Sequence, residues 1–82
     1  MDDQEILDGV TAILREVLND ESLVLCPEIA VRDINGWDSL RLVLILAELE
    51  ERFDIRISTP EMDAVQRVGD LIDIARRGLG AK

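Results

Sequence analysis

A 3.6-residue apolar period that recurs along the chain narrows the fold more than any other feature. Ile6, Val10, Ile13, Leu14, Val17 and Leu18 draw one stripe, and their spacing predicts a helix from about Asp3 to Leu18. Leu42, Ile45, Leu46, Leu49 and Phe53 fall at i, i+3, i+4, i+7 and i+11 and predict a second helix from about Ser39 to Phe53. Val68, Leu71, Ile72, Ala75 and Leu79 predict the last. Arg76 and Arg77 suit its negative C-terminal end, Gly78 offers a terminator, and Gly78 to Lys82 reads as a frayed tail. Ser58-Thr59-Pro60-Glu61 is a helix start in miniature, a capping hydroxyl followed by proline and acid, and predicts a short helix over Pro60 to Ala64. Ile55-Arg56-Ile57 alternates like a strand, but it lacks a partner strand and reads as an extended linker. The expected fold is all-α, a small four-helix bundle with a long first loop and a short third helix.

The segment from Asn19 to Trp37 contains Pro27 and Gly36 and shows no clear period, so it is the long loop. Loops of that length without structure are uncommon in compact domains, and Leu23, Leu25, Ile29, Val31 and Ile34 are expected to pin it to the core. A short strand at Leu23 to Leu25 is the competing expectation. With 82 residues the chain can build one modest core, which predicts a single domain over 1–82. Its longest unbroken apolar run, Leu42 to Ala47, is far short of the ~20 residues that span a bilayer. Met1 is followed by acids and not by a charged-then-apolar leader, and a lone cysteine, Cys26, permits no internal disulfide. A monomer in the cytoplasm is the expectation.

Composition excludes several functions. The chain has no histidine, so it cannot assemble a Ser-His-Asp or Cys-His site or a histidine-ligated zinc, and no metal site is expected. Eighteen Asp and Glu against nine Lys and Arg give a net charge of −9, the wrong sign for gripping a nucleic-acid backbone. An acidic surface would steer toward basic patches on other proteins.

The motif that carries chemistry is Asp38-Ser39-Leu40, approached through Asn35-Gly36-Trp37. Asp38 is a good N-cap and Gly36 permits a sharp turn, so Ser39 is expected in the first turn of the second helix and on the surface. The first N–H groups of a helix lack internal partners and lie at the positive end of its dipole, which favours a phosphate ester on that hydroxyl. The chemistry suggested is attachment, not turnover.

Gly36-Trp37-Asp38-Ser39-Leu40, then Leu49-Glu50-Glu51-Arg52-Phe53, then Ile55 and Ile57, then Val68-Gly69-Asp70-Leu71-Ile72, resemble in order and spacing the corresponding stretches of acyl carrier proteins. The resemblance implies a right-handed four-helix bundle whose Ser39 takes a covalent 4'-phosphopantetheine arm from coenzyme A. It implies a non-enzymatic carrier: a phosphopantetheinyl transferase installs the arm, and acyl- or aminoacyl-loading and transfer enzymes with basic docking patches use it. Asp38 is then cap and recognition residue. Trp37, Leu40, Arg41, Leu44, Glu48 and Glu51 are the candidate partner surface, because Leu40 and Leu44 lie opposite the core stripe with charges flanking them. Fatty-acid carriers usually follow the motif with an acid and place more acids along this side. Arg41 and Leu44 stand here instead, which points to a dedicated polyketide, nonribosomal-peptide or other specialised pathway. The alternative is an acidic helical adaptor without a prosthetic group, anchored in a partner's groove by Leu40 and Leu44.

Overall fold

Helices form where the apolar stripes fall. The computed structural model describes residues 2–80 and contains four α-helices: α1 (Asp3–Val17), α2 (Ser39–Phe53), α3 (Thr59–Asp63) and α4 (Val68–Gly80). The Asp2 carboxylate caps α1 by accepting the Glu5 N–H at 2.8 Å. The helix buries Ile6, Val10, Ile13 and Leu14 and ends one residue before the expected Leu18, which serves as its C-cap. α2 has the expected bounds and buries Ile45, Leu46, Leu49 and Phe53, while Leu42 is only half-buried. Its C-cap, Asp54, adopts the left-handed φ of 54° that Asp and Asn tolerate better than other residues with side chains.

α3 begins and ends one residue earlier than expected. Ser58 is its N-cap, Thr59 its first residue, and a reciprocal capping box joins Ser58 to Glu61. The fixed φ of Pro60 suits any position in a first turn, so the sequence alone could not set the register. No side chain of α3 is fully buried.

α4 corrects an expectation. It runs through Gly78 to Gly80, so Gly78 is not its terminator; Ala81 and Lys82 lie outside the described residues. A Cβ at position 78 would stand 2.6 Å from Ile55 Cγ2 and 2.7 Å from Ile55 Cβ. The glycine is needed because the α2–α3 linker crosses α4 at that point, with Ile55 buried. The linker is extended and unpaired, as expected. It is tied back to α2 at Glu50, whose carbonyl accepts the Ile55 N–H at 3.0 Å and whose carboxylate accepts the Ile57 N–H at 3.0 Å.

The three long helices pack on one another, and the first loop closes the core. Leu25, Val31 and Ile34 are buried, with Leu23 and Ile29 half-buried against the same cluster, so all five expected pins are in place. No strand forms at Leu23 to Leu25. The loop instead makes a 3-10 turn at Val31–Asp33 and a single antiparallel bridge, Ala30 with Arg67. It is fastened to the N-terminus of α4: Val68 N–H donates to Ile29 O and Gly69 N–H to Pro27 O, both at 2.9 Å, and Val31 N–H donates to Gln66 O at 3.0 Å. The Asp70 carboxylate satisfies the preceding N–H groups of Gln66 and Arg67, each at 2.9 Å. Two N–H groups that a free helix would leave without partners thus become the attachment for the loop.

Gly78→Ala should destabilise the fold. Its methyl gains up to about 1 kcal/mol of helix propensity but meets Ile55, and overpacking of this kind costs typically about 1–3 kcal/mol. Urea unfolding should show a lower midpoint at unchanged slope. A higher midpoint would mean that the linker yields without cost.

Candidate functional site

The turn before α2 is built to present one serine. Gly36 adopts φ of 89°, a conformation open to glycine and strained for other residues. Trp37 follows, half-buried against the core, its backbone N–H donating to Ile34 O at 3.1 Å. Packing under the turn is thus its first role. Asp38 is extended and caps α2: its Oδ1 accepts the Arg41 backbone N–H at 2.8 Å, and its carbonyl accepts the Leu42 N–H at 3.0 Å. Ser39 is the first helical residue. It is exposed, and among the described residues its hydroxyl has no hydrogen-bond partner.

Arg41 has a part that sequence reasoning missed. Its Nη1 donates to Asp38 Oδ2 at 2.7 Å, so one residue engages both oxygens of the cap, one through its backbone and one through its side chain. The Arg41 backbone N–H is the chief reason the Asp38 carboxyl lies below its ordinary value; the guanidinium adds to it and partial desolvation opposes it. The i, i+3 spacing of an acid and a base was the available signal. Both side chains are about half exposed, at 44% and 50%, so solvent screens the pair and it adds little to stability.

Beside the serine runs an apolar ridge. Leu40 is 65% exposed, Val43 51% and Leu44 48%, and Ala47 continues the same i, i+3, i+4, i+7 stripe on the surface. Neither the long loop nor α3 covers Leu44. Val43 was not among the candidates, although its spacing from Leu40 would have found it. Glu48 and Glu51 are exposed farther along α2.

The mouth of α2 is open surface. A groove of about 490 Å³ lies elsewhere, lined by Leu7, Pro27, Gly69 and Ile72 among others, and α2 contributes nothing to it. Among the described residues no polar or charged side chain is buried, and the chain has no histidine to act as a base beside Ser39. An exposed hydroxyl with no competing partner, at the positive end of a helix, fits a phosphodiester-linked group.

Residues 8–75 match the family described as a phosphopantetheine attachment site. A 70-residue stretch is 34% identical to the acyl carrier protein of Acidothermus cellulolyticus, covering 85% of this chain and 83% of that one. The solution structure of a holo acyl carrier protein from Geobacter metallireducens superposes with a TM-score of 0.85 at 36% identity, covering 93% of this chain and 87% of the other.

The Asp38 carboxyl is lowered from an ordinary 3.8, and that of Glu61, which accepts the Ser58 N–H and hydroxyl, from an ordinary 4.5. A lowered folded value stabilises the charged form, so each contribution is fully present above the ordinary value and is lost as pH falls through the lowered one. Asp38→Asn keeps a capping side chain but does not titrate. The stability gap between wild type and Asp38→Asn should therefore be widest at neutral pH and shrink on acidification through and below 3.8. Urea midpoints followed against pH check this, and a pH-independent gap refutes it.

Proposed function

Because this chain belongs to the acyl carrier protein family, non-catalytic carriers with a covalent 4'-phosphopantetheine arm, we propose that its arm is borne on Ser39. The observation that carries the proposal is an exposed, unengaged hydroxyl at the first position of α2, held there by the Asp38 cap and the Gly36 turn. The arm supplies a thiol on which cargo rides as a thioester. The chain's own residues do the rest: Asp38 and Arg41 keep the first turn wound, Trp37 fixes the approach, and the dipole of α2 favours the phosphodiester charge.

In this reading the whole chain, 1–82, is one monomeric carrier domain working in the cytoplasm. Among its described residues no helix is long and apolar enough to cross a membrane. Its partners are a phosphopantetheinyl transferase and the acyl- or aminoacyl-transfer enzymes of a dedicated pathway, polyketide, nonribosomal-peptide or similar. They dock along α2 over Leu40, Arg41, Leu44, Glu48 and Glu51, with Trp37 at the edge. The specialised pathway is favoured by Arg41 and Leu44, which stand where fatty-acid carriers usually present acids. The adaptor alternative, without a prosthetic group, gives way to the family membership.

Treatment with coenzyme A and a broad-specificity phosphopantetheinyl transferase should add one arm by intact mass, and Ser39→Ala should remove the addition. That variant should fold normally, because Asp38 still caps and the lost hydroxyl contributes roughly 1 kcal/mol or less. A label mapped to Ser22 or Ser58, or none after several competent transferases, would count against the assignment.

Leu44→Glu separates docking from packing. At 48% exposure the change should alter stability by about 0.5 kcal/mol or less, as surface substitutions do, while transfer of the arm or cargo slows markedly. A stable variant served at the wild-type rate would take Leu44 out of the docking surface. Loss of several kcal/mol would place it in the core.

A further inference from the structure

We propose that Arg41 decides which partners this carrier accepts: by holding both oxygens of Asp38 it withdraws the carboxylate at the helix mouth, so that accepted partners meet the mouth with an apolar slot and not with a cation. The proposal deepens the reading of Ser39 as the root of the arm and rests on it. Between Asn35 and Ala47 the sequence holds one acid, Asp38, and one base, Arg41. They neutralise each other at 2.7 Å, and the second oxygen of Asp38 is occupied by the Arg41 N–H at 2.8 Å.

The next acid on α2 is Glu48, nine residues beyond Ser39 and about 13 Å along the axis at 1.5 Å per residue. The Debye length at physiological ionic strength is ~8 Å, so the Glu48 charge is largely screened at the serine. Glu50 is engaged with the Ile57 N–H. A partner cation brought to the mouth would therefore lose water beside Arg41 and find no unpaired carboxylate in the first turns of α2 to replace it. What α2 does offer there is Leu40, Val43 and Leu44, each about half exposed or more. The surface complementary to this part of α2 is neutral and apolar. The net charge of −9 can still speed the approach of a basic protein from a distance, but the contact at the serine does not select one.

The test uses the full chain, coenzyme A and a phosphopantetheinyl transferase with a basic docking face, with KM and kcat measured from low to physiological ionic strength. Arg41→Glu should lower KM and steepen its salt dependence by roughly tenfold, the lower range of electrostatic steering. Arg41→Lys, which restores the cation, should behave as wild type. Arg56→Glu makes the same change in net charge from the linker beyond the far end of α2 and should leave KM and salt slope near wild type. If Arg41→Glu loses its fold, Arg41→Gln opens the pair without adding repulsion and should shift both quantities the same way. Equal shifts for Arg41→Glu and Arg56→Glu would show that only long-range charge matters, and a raised KM for Arg41→Glu would show that the partner grips Arg41 directly. Either result overturns the proposal while leaving Ser39 as the attachment site. Failure of the wild-type chain to take the arm at Ser39 would remove both.

Discussion

The first loop is held by the N-terminus of α4, and the placement of the serine depends on that connection. A nineteen-residue passage from Asn19 to Trp37 has too few regular hydrogen bonds to fix its own course. Its carbonyls at Pro27 and Ile29 take the first N–H groups of α4, and Gln66 returns a carbonyl to Val31. Burial of Leu25, Val31 and Ile34 draws the same stretch onto the core. The loop therefore reaches Gly36 from a fixed direction, and the turn there delivers Asp38 and Ser39 at a set angle to the bundle. The orientation of the serine is in this sense a product of contacts around Pro27 and Gly69, far away in sequence.

α2 serves two surfaces with one helix. Ile45, Leu46, Leu49 and Phe53 anchor it in the core, while Leu40, Val43 and Leu44 stand on the outside near its N-terminus. Full burial of a side chain of this size is worth about 1.5–3 kcal/mol, so three left largely exposed represent stability not taken. With the arm on Ser39 as proposed, a rigid ridge beside it has a use for that surface. The core face keeps the helix from shifting, so a partner that covers the ridge also fixes the position of the arm's root.

Much of this was legible in the sequence, and most of the misses share a cause. Helical periodicity located the three long helices, and cap chemistry found α3 and placed α2 correctly to the residue, because Asp38 and the stripe from Leu42 agree. Ser39 at the mouth followed from the same local logic. Apart from the local pairing of Arg41 with Asp38 and the exposure of Val43, what escaped was decided by neighbours farther away in the chain. Gly78 looks like a terminator until Ile55 is seen pressed against it. Glu50 looks like a solvated charge, yet it ties the linker through Ile57. The 3-10 turn at Val31–Asp33 and the bridge from Ala30 to Arg67 exist because α4 supplies partners there. Ile74 is buried at 3%, outside the stripe read from Val68, because α4 is gripped on more than one side by α1, α2 and the linker. Local rules read local structure; a crossing point between segments leaves no period.

The acidic charge and the apolar ridge are best understood together. An exposed strip of large aliphatic side chains invites self-association, and a net charge of −9 on so small a domain opposes it by mutual repulsion between copies. That repulsion is long-ranged at low salt and weak at contact distance once ions screen it, so it discriminates against another acidic copy more than against a neutral or basic partner. On the proposed docking face, α2 carries no acid between Asp38, already paired with Arg41, and Glu48, so overall charge would govern who approaches while side-chain shape at Leu40, Val43 and Leu44 would govern who stays. The two tasks would fall on different residues, which is how a chain strongly acidic as a whole can keep the first turns of α2 free of unpaired acids.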